Sequence, residues 1–252
     1  MTSIRLYSYA MSPFAAKVHC FLLYKRLDFE VFYINPLRVK QDLPVGKQIP
    51  VLTVDGESRA NSTPIGLWLE ELFPGEPRLL PEQGEQRDRL MAIDTWISNH
   101  VIPRSFRYYP GEGLNRVLNG WKLSYVMGKT ARGGLLLPLR AAWPLLIKRV
   151  AFVRRLIEQA EDGLPLLESK RKLYEEFVAQ LEGGPFLAGR SAPSLPDFSA
   201  YPQFALYYRV GFRGGDDILE RPELMGWLKR MRPHLDGSPP LLPAKVCQRE
   251  MP

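Results

Sequence analysis

The chain has 252 residues, of which 45% are hydrophobic, 24% charged and 11% aromatic, a composition typical of folded proteins rather than disordered ones. Its two cysteines, Cys20 and Cys247, exclude a disulfide-built scaffold, a Cys-rich zinc module and a Cys-x-x-Cys dithiol, and they are typical of a reducing compartment. The formal net charge of +7 permits acidic partners but identifies none.

The first residues lack the basic region, the apolar stretch and the cleavage site of a secretory signal, so we expect a cytoplasmic protein. The most apolar stretch, residues 133–153, contains charged residues together with Pro138 and Pro144. Such a stretch does not fit a helix that spans a membrane.

Strands and helices are predicted to alternate at the start of the chain. Residues 4–8 and 29–33 have the short apolar pattern of strands, and residues 13–25 between them have the spacing of a helix. Residues 41–48 are polar and turn-like, and a third strand is predicted at 50–54.

A hairpin and a second helix complete this segment. Asp55-Gly56 predicts the hairpin turn. The helix is predicted to begin with a cap at Ser62-Thr63 and Pro64 in its first position. Its apolar stripe is expected to contain Ile65, Leu69 and Leu72.

A Pro- and Gly-rich linker then separates two predicted domains, an α/β domain at 1–75 and an all-helical domain at 85–252, with the linker at 76–84. Within the second domain, Ser194 with Asp197 predicts a reciprocally capped helix start. Helical stripes are predicted at Leu90, Ile93, Ile97 and Val101 and at Leu224, Trp227, Leu228 and Met231. Residues 104–150 show little periodicity.

Ser12-Pro13 joins the first strand to the first helix. The free N–H groups and the dipole of a helix start stabilise a nearby anion and lower the pKa of a thiol. The same Ser-Pro pair is also a common helix cap, and the local sequence alone favours that interpretation.

Two further features lie near prolines. The turn before Ile49-Pro50 suits a cis peptide bond, although trans is the default for an X-Pro bond. Asn61-Ser62 begins a predicted helix whose N–H groups suit a carboxylate, and capping explains the pair equally well.

The order of these features resembles the cytosolic glutathione transferases. Ser12-Pro13-Phe14 with Lys17-Val18 is most similar to the serine-type tau class and is also similar to the omega class. The resemblance covers most of the chain outside residues 104–150 and the tail after Leu235. It implies a thioredoxin-like domain followed by a helical bundle, usually in a homodimer, and a detoxifying glutathione S-transferase that needs glutathione and no metal.

The resemblance also implies roles for residues. Ser12 would hydrogen-bond the glutathione sulfur and favour its thiolate, with Tyr9 as the rival for this role. The remaining contacts to glutathione would come from Lys40, Gln48, Ile49, Pro50, Asn61 and Ser62. Asn61 and Gln48 depart from the residues usual in the family, and Cys20 is better explained as a small buried residue than as a nucleophile.

The pocket for a second, electrophilic substrate is expected after the first long helix of the helical domain. The first candidates are His100, Arg104 and Tyr108. They belong to an aromatic and Arg-rich segment that suits a flat or anionic electrophile and also contains Trp96, Phe106, Arg107 and Tyr109. The three histidines of the chain show no metal-ligand spacing, so no metal site is predicted.

Two alternatives to an enzyme remain open. A binding protein on the same fold could act through the helical domain. Association with nucleic acid or a membrane surface could use residues 104–172, which hold 14 Lys and Arg against 5 Asp and Glu.

Overall fold

The computed structural model describes residues 2–75, 77–146, 149–214, 221–236 and 239–250. A four-stranded sheet forms first along the chain. Its strands are β1 (Ile4–Ser8), β2 (Glu30–Tyr33), β3 (Val51–Val54) and β4 (Glu57–Ala60). The spatial order is β2-β1-β3-β4, in which β1 pairs parallel to β2 and antiparallel to β3. This mixed sheet confirms the predicted thioredoxin-like domain.

Three helices accompany the sheet: α1 (Pro13–Tyr24), α2 (Val39–Asp42) and α3 (Ser62–Leu72). Helix α3 packs closely against α1, because a Cβ atom added at Gly66 would lie only 2.8 Å from the Phe21 ring. Glycine at this position therefore brings the two helix axes together, and with them the two helix starts that flank the site described below.

The rest of the described chain is helical. Its helices are α4 (Glu85–Trp96), α5 (Ile102–Tyr108), α6 (Gly113–Thr130), α7 (Leu137–Leu146), α8 (Ala151–Gln159), α9 (Leu166–Ala179), α10 (Leu195–Val210) and α11 (Pro222–Met231). A π-helical segment, Ile97–Val101, connects α4 with α5. Within the described residues, no helix combines the length and the apolar character needed to cross a bilayer.

The start of α10 is fixed inside the core. Ser194 and Asp197 form the predicted reciprocal cap, in which the Ser194 N–H donates to the Asp197 carboxylate at 2.9 Å. The buried Trp227 of α11 donates its Nε1–H to the same carboxylate, also at 2.9 Å. This cap therefore joins α10 to α11, and both apolar stripes predicted for the helical domain are buried.

Three local predictions need correction. Helix α3 begins at Ser62, so Pro64 is its third residue rather than its first, and Asn61 is the residue before the helix. Leu72 at the end of α3 is 41% exposed instead of buried, because the helix ends there and the chain leaves the core. The segment predicted as a turn at 41–48 overlaps the last two residues of the short helix α2.

Candidate active site

A cavity with a volume of about 810 Å³ lies between the sheet domain and helices α5 to α8. Its polar end is lined by residues from the starts of α1 and α3 and from the loop before β3, namely Tyr9, Ser12, Lys47, Gln48, Ile49, Pro50, Asn61, Ser62 and Thr63. Its apolar end is lined chiefly by Met11, Phe14, Phe106, Tyr109, Leu123, Met127, Trp143, Val150, Phe152 and Val153. A volume of this size lies within the range of cavities that bind small molecules.

Ser12 is the cap residue of α1, as its sequence predicts. Its Oγ accepts a hydrogen bond from the Ala15 N–H at 3.2 Å. This bond uses a lone pair of the hydroxyl and leaves its O–H group able to donate to an anion in the cavity. Capping and anion binding are therefore compatible at Ser12.

Tyr9 lies on the same wall of the cavity. Burial, with a smaller contribution from the negative charge of Asp42, raises the pKa of Tyr9 to about 12. The phenol therefore stays protonated near neutral pH and is a hydrogen-bond donor, which leaves it a rival of Ser12 on geometric grounds.

The loop before β3 forms the floor of the polar end. The Ile49–Pro50 peptide bond is cis, as the family resemblance implies. Gln48 and Lys47 line the cavity next to it, whereas Lys40 is an exposed residue of α2 outside the lining. The cation at this end is thus Lys47, which the sequence analysis missed although it directly precedes Gln48.

The start of α3 forms the opposite side of the polar end. Asn61 has a φ of 71°, and its side chain makes no capping bond to the helix. The first N–H groups of α3, at Ser62 and Thr63, accordingly lie in the wall of the cavity without a capping side chain. Because α1 also starts at the cavity, the positive ends of two helix dipoles are close to the same space.

A buried ion pair supports both helix starts. Lys17 of α1 and Asp94 of α4 have side chains that are 0% and 2% exposed, and Lys17 Nζ donates to the two carboxylate oxygens at 2.7 and 2.9 Å. Lys17 Nζ also donates to Thr63 Oγ1 at 2.7 Å, and Thr63 in turn donates to Asp94 at 2.8 Å. Ser199 of α10 donates to the same carboxylate. This buried network therefore joins α1, α3, α4 and α10 beside the cavity.

The three residues predicted for the second-substrate pocket lie elsewhere. Arg104 Nη1 donates to Glu176 at 2.9 Å, and the Tyr108 hydroxyl lies 3.0 Å from Ser169 Oγ, so both side chains face α9. His100 is exposed. The cavity is lined instead by Phe106 and Tyr109, which are three positions apart and lie on the opposite face of this segment.

Other candidates for chemistry are buried or dispersed. Burial raises the pKa of the Cys20 thiol well above its usual range, which agrees with a small buried residue rather than a nucleophile. Among the residues that the structure describes, no three His, Cys, Asp or Glu side chains are grouped so that they could hold a metal ion.

Comparison with known proteins gives three kinds of match. Residues 6–77 match the family model described as the N-terminal domain of glutathione S-transferase. Prostaglandin E synthase 2 of Danio rerio is 33% identical over 282 aligned positions, which cover 91% of this chain and 70% of that protein. Maleylacetoacetate isomerase of Mus musculus is 33% identical over 106 residues, which cover 39% of this chain and 49% of that protein.

The chain thus spans about half the length of the maleylacetoacetate isomerases of mouse and rat. Among solved structures, a rice glutathione S-transferase in complex with glutathione has a TM-score of 0.57 and 17% identity, over 93% of this chain and 89% of that one. At that identity the match shows a shared fold.

Proposed function

Because the chain belongs to the glutathione S-transferase family, we propose that it is an enzyme that binds glutathione at the polar end of the cavity and activates the thiol as a thiolate. The observation that carries this proposal is the convergence of two helix starts, at Ser12 and Ser62, on one cavity next to the Ile49–Pro50 peptide bond. Glutathione fits this end because its carboxylates and its thiolate are anions, which helix starts and Lys47 stabilise.

Each part of glutathione has a proposed partner. The Ser12 O–H donates to the thiolate, and a hydrogen bond to an ionised sulfur is stronger than one to the neutral thiol, so it lowers the pKa of the bound thiol. The backbone of Ile49 pairs with the cysteinyl part, and Asn61 and Ser62 hold the γ-glutamyl carboxylate. Lys47 and Gln48 contact the glycyl carboxylate, a role in which Lys47 takes the place of Lys40.

The second substrate is proposed to be an apolar or aromatic electrophile in the other end of the cavity. Phe106, Tyr109, Trp143 and Phe152 offer aromatic surface there. The Tyr109 hydroxyl donates to the Gln203 carbonyl at 2.7 Å, so Tyr109 presents its ring rather than a free hydroxyl. In a conjugation, the thiolate sulfur attacks the electrophile and forms a thioether while the displaced group leaves as an anion. In a reduction, a second glutathione supplies the other thiol and glutathione disulfide is released. The cavity wall limits access of water.

An enzyme is favoured over a binding protein that has lost its chemistry. The relatives reported above are named as an isomerase and a synthase, and the polar end keeps its hydroxyl, its cation and both helix starts. The tau-like class, the homodimer, the cytoplasmic location and a role in detoxification stay predictions.

Substitution of Ser12 tests the proposal directly. In Ser12→Ala we expect kcat/KM with glutathione and a chlorodinitrobenzene to fall roughly 10²- to 10³-fold, the cost of removing one donor that stabilises a developing anion. The pKa of the bound thiol, measured by thiolate absorbance, should rise toward that of free glutathione.

Tyr9→Phe is the matched variant, and we expect its kcat/KM to change only a few-fold. If kcat/KM falls more in Tyr9→Phe than in Ser12→Ala, the hydrogen bond to the thiolate comes from Tyr9 instead of Ser12. If the folded wild-type protein neither binds immobilised glutathione nor turns over any electrophile, the proposal of an enzyme is refuted and the alternative of a binding protein is supported.

A further inference from the structure

The helices that close the apolar end of the cavity carry an unusual surface on their outer side. Four leucines of this region, Leu114, Leu136, Leu137 and Leu145, are 70, 71, 73 and 74% exposed. Soluble surfaces rarely group so many exposed aliphatic side chains, and such groups mark sites of interaction.

The exposed side chains of α6 lie in one row. Leu114, Trp121 and Tyr125 are seven and four positions apart, which places them on one face of an α-helix. Trp121 and Tyr125 are 49% and 39% exposed. The exposed part of this row does not anchor α6 to the core, because the opposite face of α6 buries Leu123 and Val126.

Helix α7 extends this row into a continuous surface. A Cβ atom at Gly120 of α6 would lie 2.8 Å from Pro144 of α7, so the two helices are in close contact. Trp121 Nε1 donates to the Ala141 carbonyl at 3.4 Å, and Leu137 and Leu145 lie one turn before and one turn after Ala141. We call these exposed side chains of α6 and α7 the outer face.

The charge of this region is of one sign. Residues 113–157 contain nine Lys and Arg and no Asp or Glu. Two of these cations flank the outer face, since Lys129 Nζ and Arg140 Cζ lie 5.7 and 5.9 Å from the centre of the Tyr125 ring. Lys148 lies outside the described residues, whereas Arg132 and Arg149 are exposed.

From this combination we propose that the outer face docks the protein on the surface of an anionic phospholipid bilayer. The cations require an anionic partner, and the protruding leucines require an apolar one. The surface of an anionic bilayer offers both, because its headgroups are negatively charged and its acyl chains are apolar. Trp121 and Tyr125 suit the interface between headgroups and acyl chains. Nucleic acid would satisfy the cations and leave the leucines in water, so it is the weaker fit.

Sedimentation with vesicles tests this proposal on the whole chain. We expect the protein to pellet with phosphatidylcholine vesicles that contain phosphatidylserine, to stay in solution with phosphatidylcholine alone, and to be released by salt. The tryptophan emission should shift to shorter wavelength on binding, and Trp121→Phe should remove most of that shift.

Two double variants separate the apolar and the charged contributions. Leu137→Ser with Leu145→Ser should weaken binding by about tenfold or more. Lys129→Gln with Arg149→Gln should weaken it by roughly thirtyfold. The matched controls are Leu167→Ser, an exposed leucine of α9, and Lys229→Gln, an exposed lysine of α11, and neither should change binding.

Three results would overturn the proposal. One is equal pelleting with and without phosphatidylserine, or no pelleting at all. Another is salt-sensitive binding of nucleic acid that the leucine variant does not alter, in place of vesicle binding. The last is a wild-type dimer that the leucine variant converts to a monomer while neither form binds vesicles. Retention on immobilised glutathione shows that each variant is folded. If the wild-type protein does not bind glutathione, circular dichroism shows the folding of each variant instead.

Discussion

The two ends of the cavity are built by different physical means. The polar end is built from the starts of α1 and α3, which one buried network around Lys17 and Asp94 joins, and from a loop of the sheet domain. The apolar end is built from side chains of α5 to α8. The outer face of α6 and α7 is exposed and is flanked by basic residues. Residues 1–80 hold 9 basic and 8 acidic residues, so the anion binding that we propose at the polar end would depend on placed N–H groups rather than on bulk charge.

This contrast indicates that the two ends have separate roles in substrate binding. We propose that the nearly neutral end, joined by the buried network, holds the constant cosubstrate, and that the separately built end decides which electrophile fits. We therefore expect two classes of substitution. One class changes the KM for glutathione and the stability of the protein, and the other changes only the KM for the second substrate.

Removal of the buried cation should have the largest effect. Lys17→Met leaves the Asp94 carboxylate buried without its counter-ion, which we expect to lower the free energy of unfolding by about 3–5 kcal/mol. Because Thr63 loses a partner as well, the KM for glutathione should rise in protein that remains folded. Urea unfolding and steady-state kinetics measure the two quantities.

The control for this prediction is Arg5→Met, which breaks the exposed pair between Arg5 and Glu30 and should leave the unfolding midpoint almost unchanged. The double variant Lys17→Met with Asp94→Leu should recover part of the loss, because neither charge is then buried alone. A Lys17→Met protein as stable as the wild type would contradict the role of the network.

Acid sensitivity is a second property that we assign to the sheet domain. Burial lowers the pKa of His19 in α1 to about 4, and a hydrogen bond to the Pro239 carbonyl opposes this shift only in part. The unfolded chain takes up the proton near pH 6.5, so stability is complete above that pH and is lost as the pH falls toward 4. The loss amounts to about 3 kcal/mol.

Unfolding measured between neutral and acid pH tests this assignment. His19→Gln should be less stable than the wild type at neutral pH and should lose less stability on acidification. His100→Gln, at an exposed histidine of the helical domain, should follow the wild-type profile. Coincident pH profiles for His19→Gln and the wild type would place the acid sensitivity elsewhere.

Phe152 offers the sharpest test of the division between the two ends. Its ring lies 6.4 Å from that of Phe14 and 6.0 Å from that of Phe106, so it joins α8 to the other walls of the cavity. Phe152→Ala removes apolar surface from the second-substrate end, and we expect the KM for an aromatic electrophile to rise about tenfold. The KM for glutathione should stay unchanged.

Leu145→Ala is the control for Phe152→Ala, because Leu145 is equally apolar but lies on the outer face instead of the cavity. Kinetics with each substrate varied in turn distinguish the outcomes. An equal rise of both KM values in Phe152→Ala would mean that the two ends do not act separately.

The polar end could be predicted from the sequence better than the apolar end, for a physical reason. Ser12, Ile49-Pro50 and Ser62 are positioned by their immediate neighbours, since a helix start or a turn is specified by a few consecutive residues. The strands and the hairpin could be predicted from the same local patterns, whereas the thioredoxin-like sheet is what the family resemblance implies. The cavity places these features together as the family resemblance implies.

The apolar end depends on tertiary packing that a regular period does not describe. The π-helical segment Ile97–Val101 interrupts the α-helical period before α5, and Arg104 and Tyr108 of α5 contact α9. Helices α6 and α7 carry apolar side chains on both their inner and outer sides, so their sequences do not reveal which side faces the cavity. Trp143 of α7 could not be predicted as a cavity residue for that reason.

The smallest expected effect concerns the cation of the polar end. Lys40 of α2 and Lys47 of the loop before β3 are both exposed, and Lys47 alone of the two lines the cavity. An exposed lysine gains little from one carboxylate, because water screens the pair, so Lys47→Ala should raise the KM for glutathione by only about two- to fivefold. The rise should shrink at high salt, while Lys40→Ala should match the wild type at every salt concentration. A larger effect of Lys40→Ala would mean that the loop before β3 closes differently around glutathione, and the glycyl end of the proposed site would then move to α2.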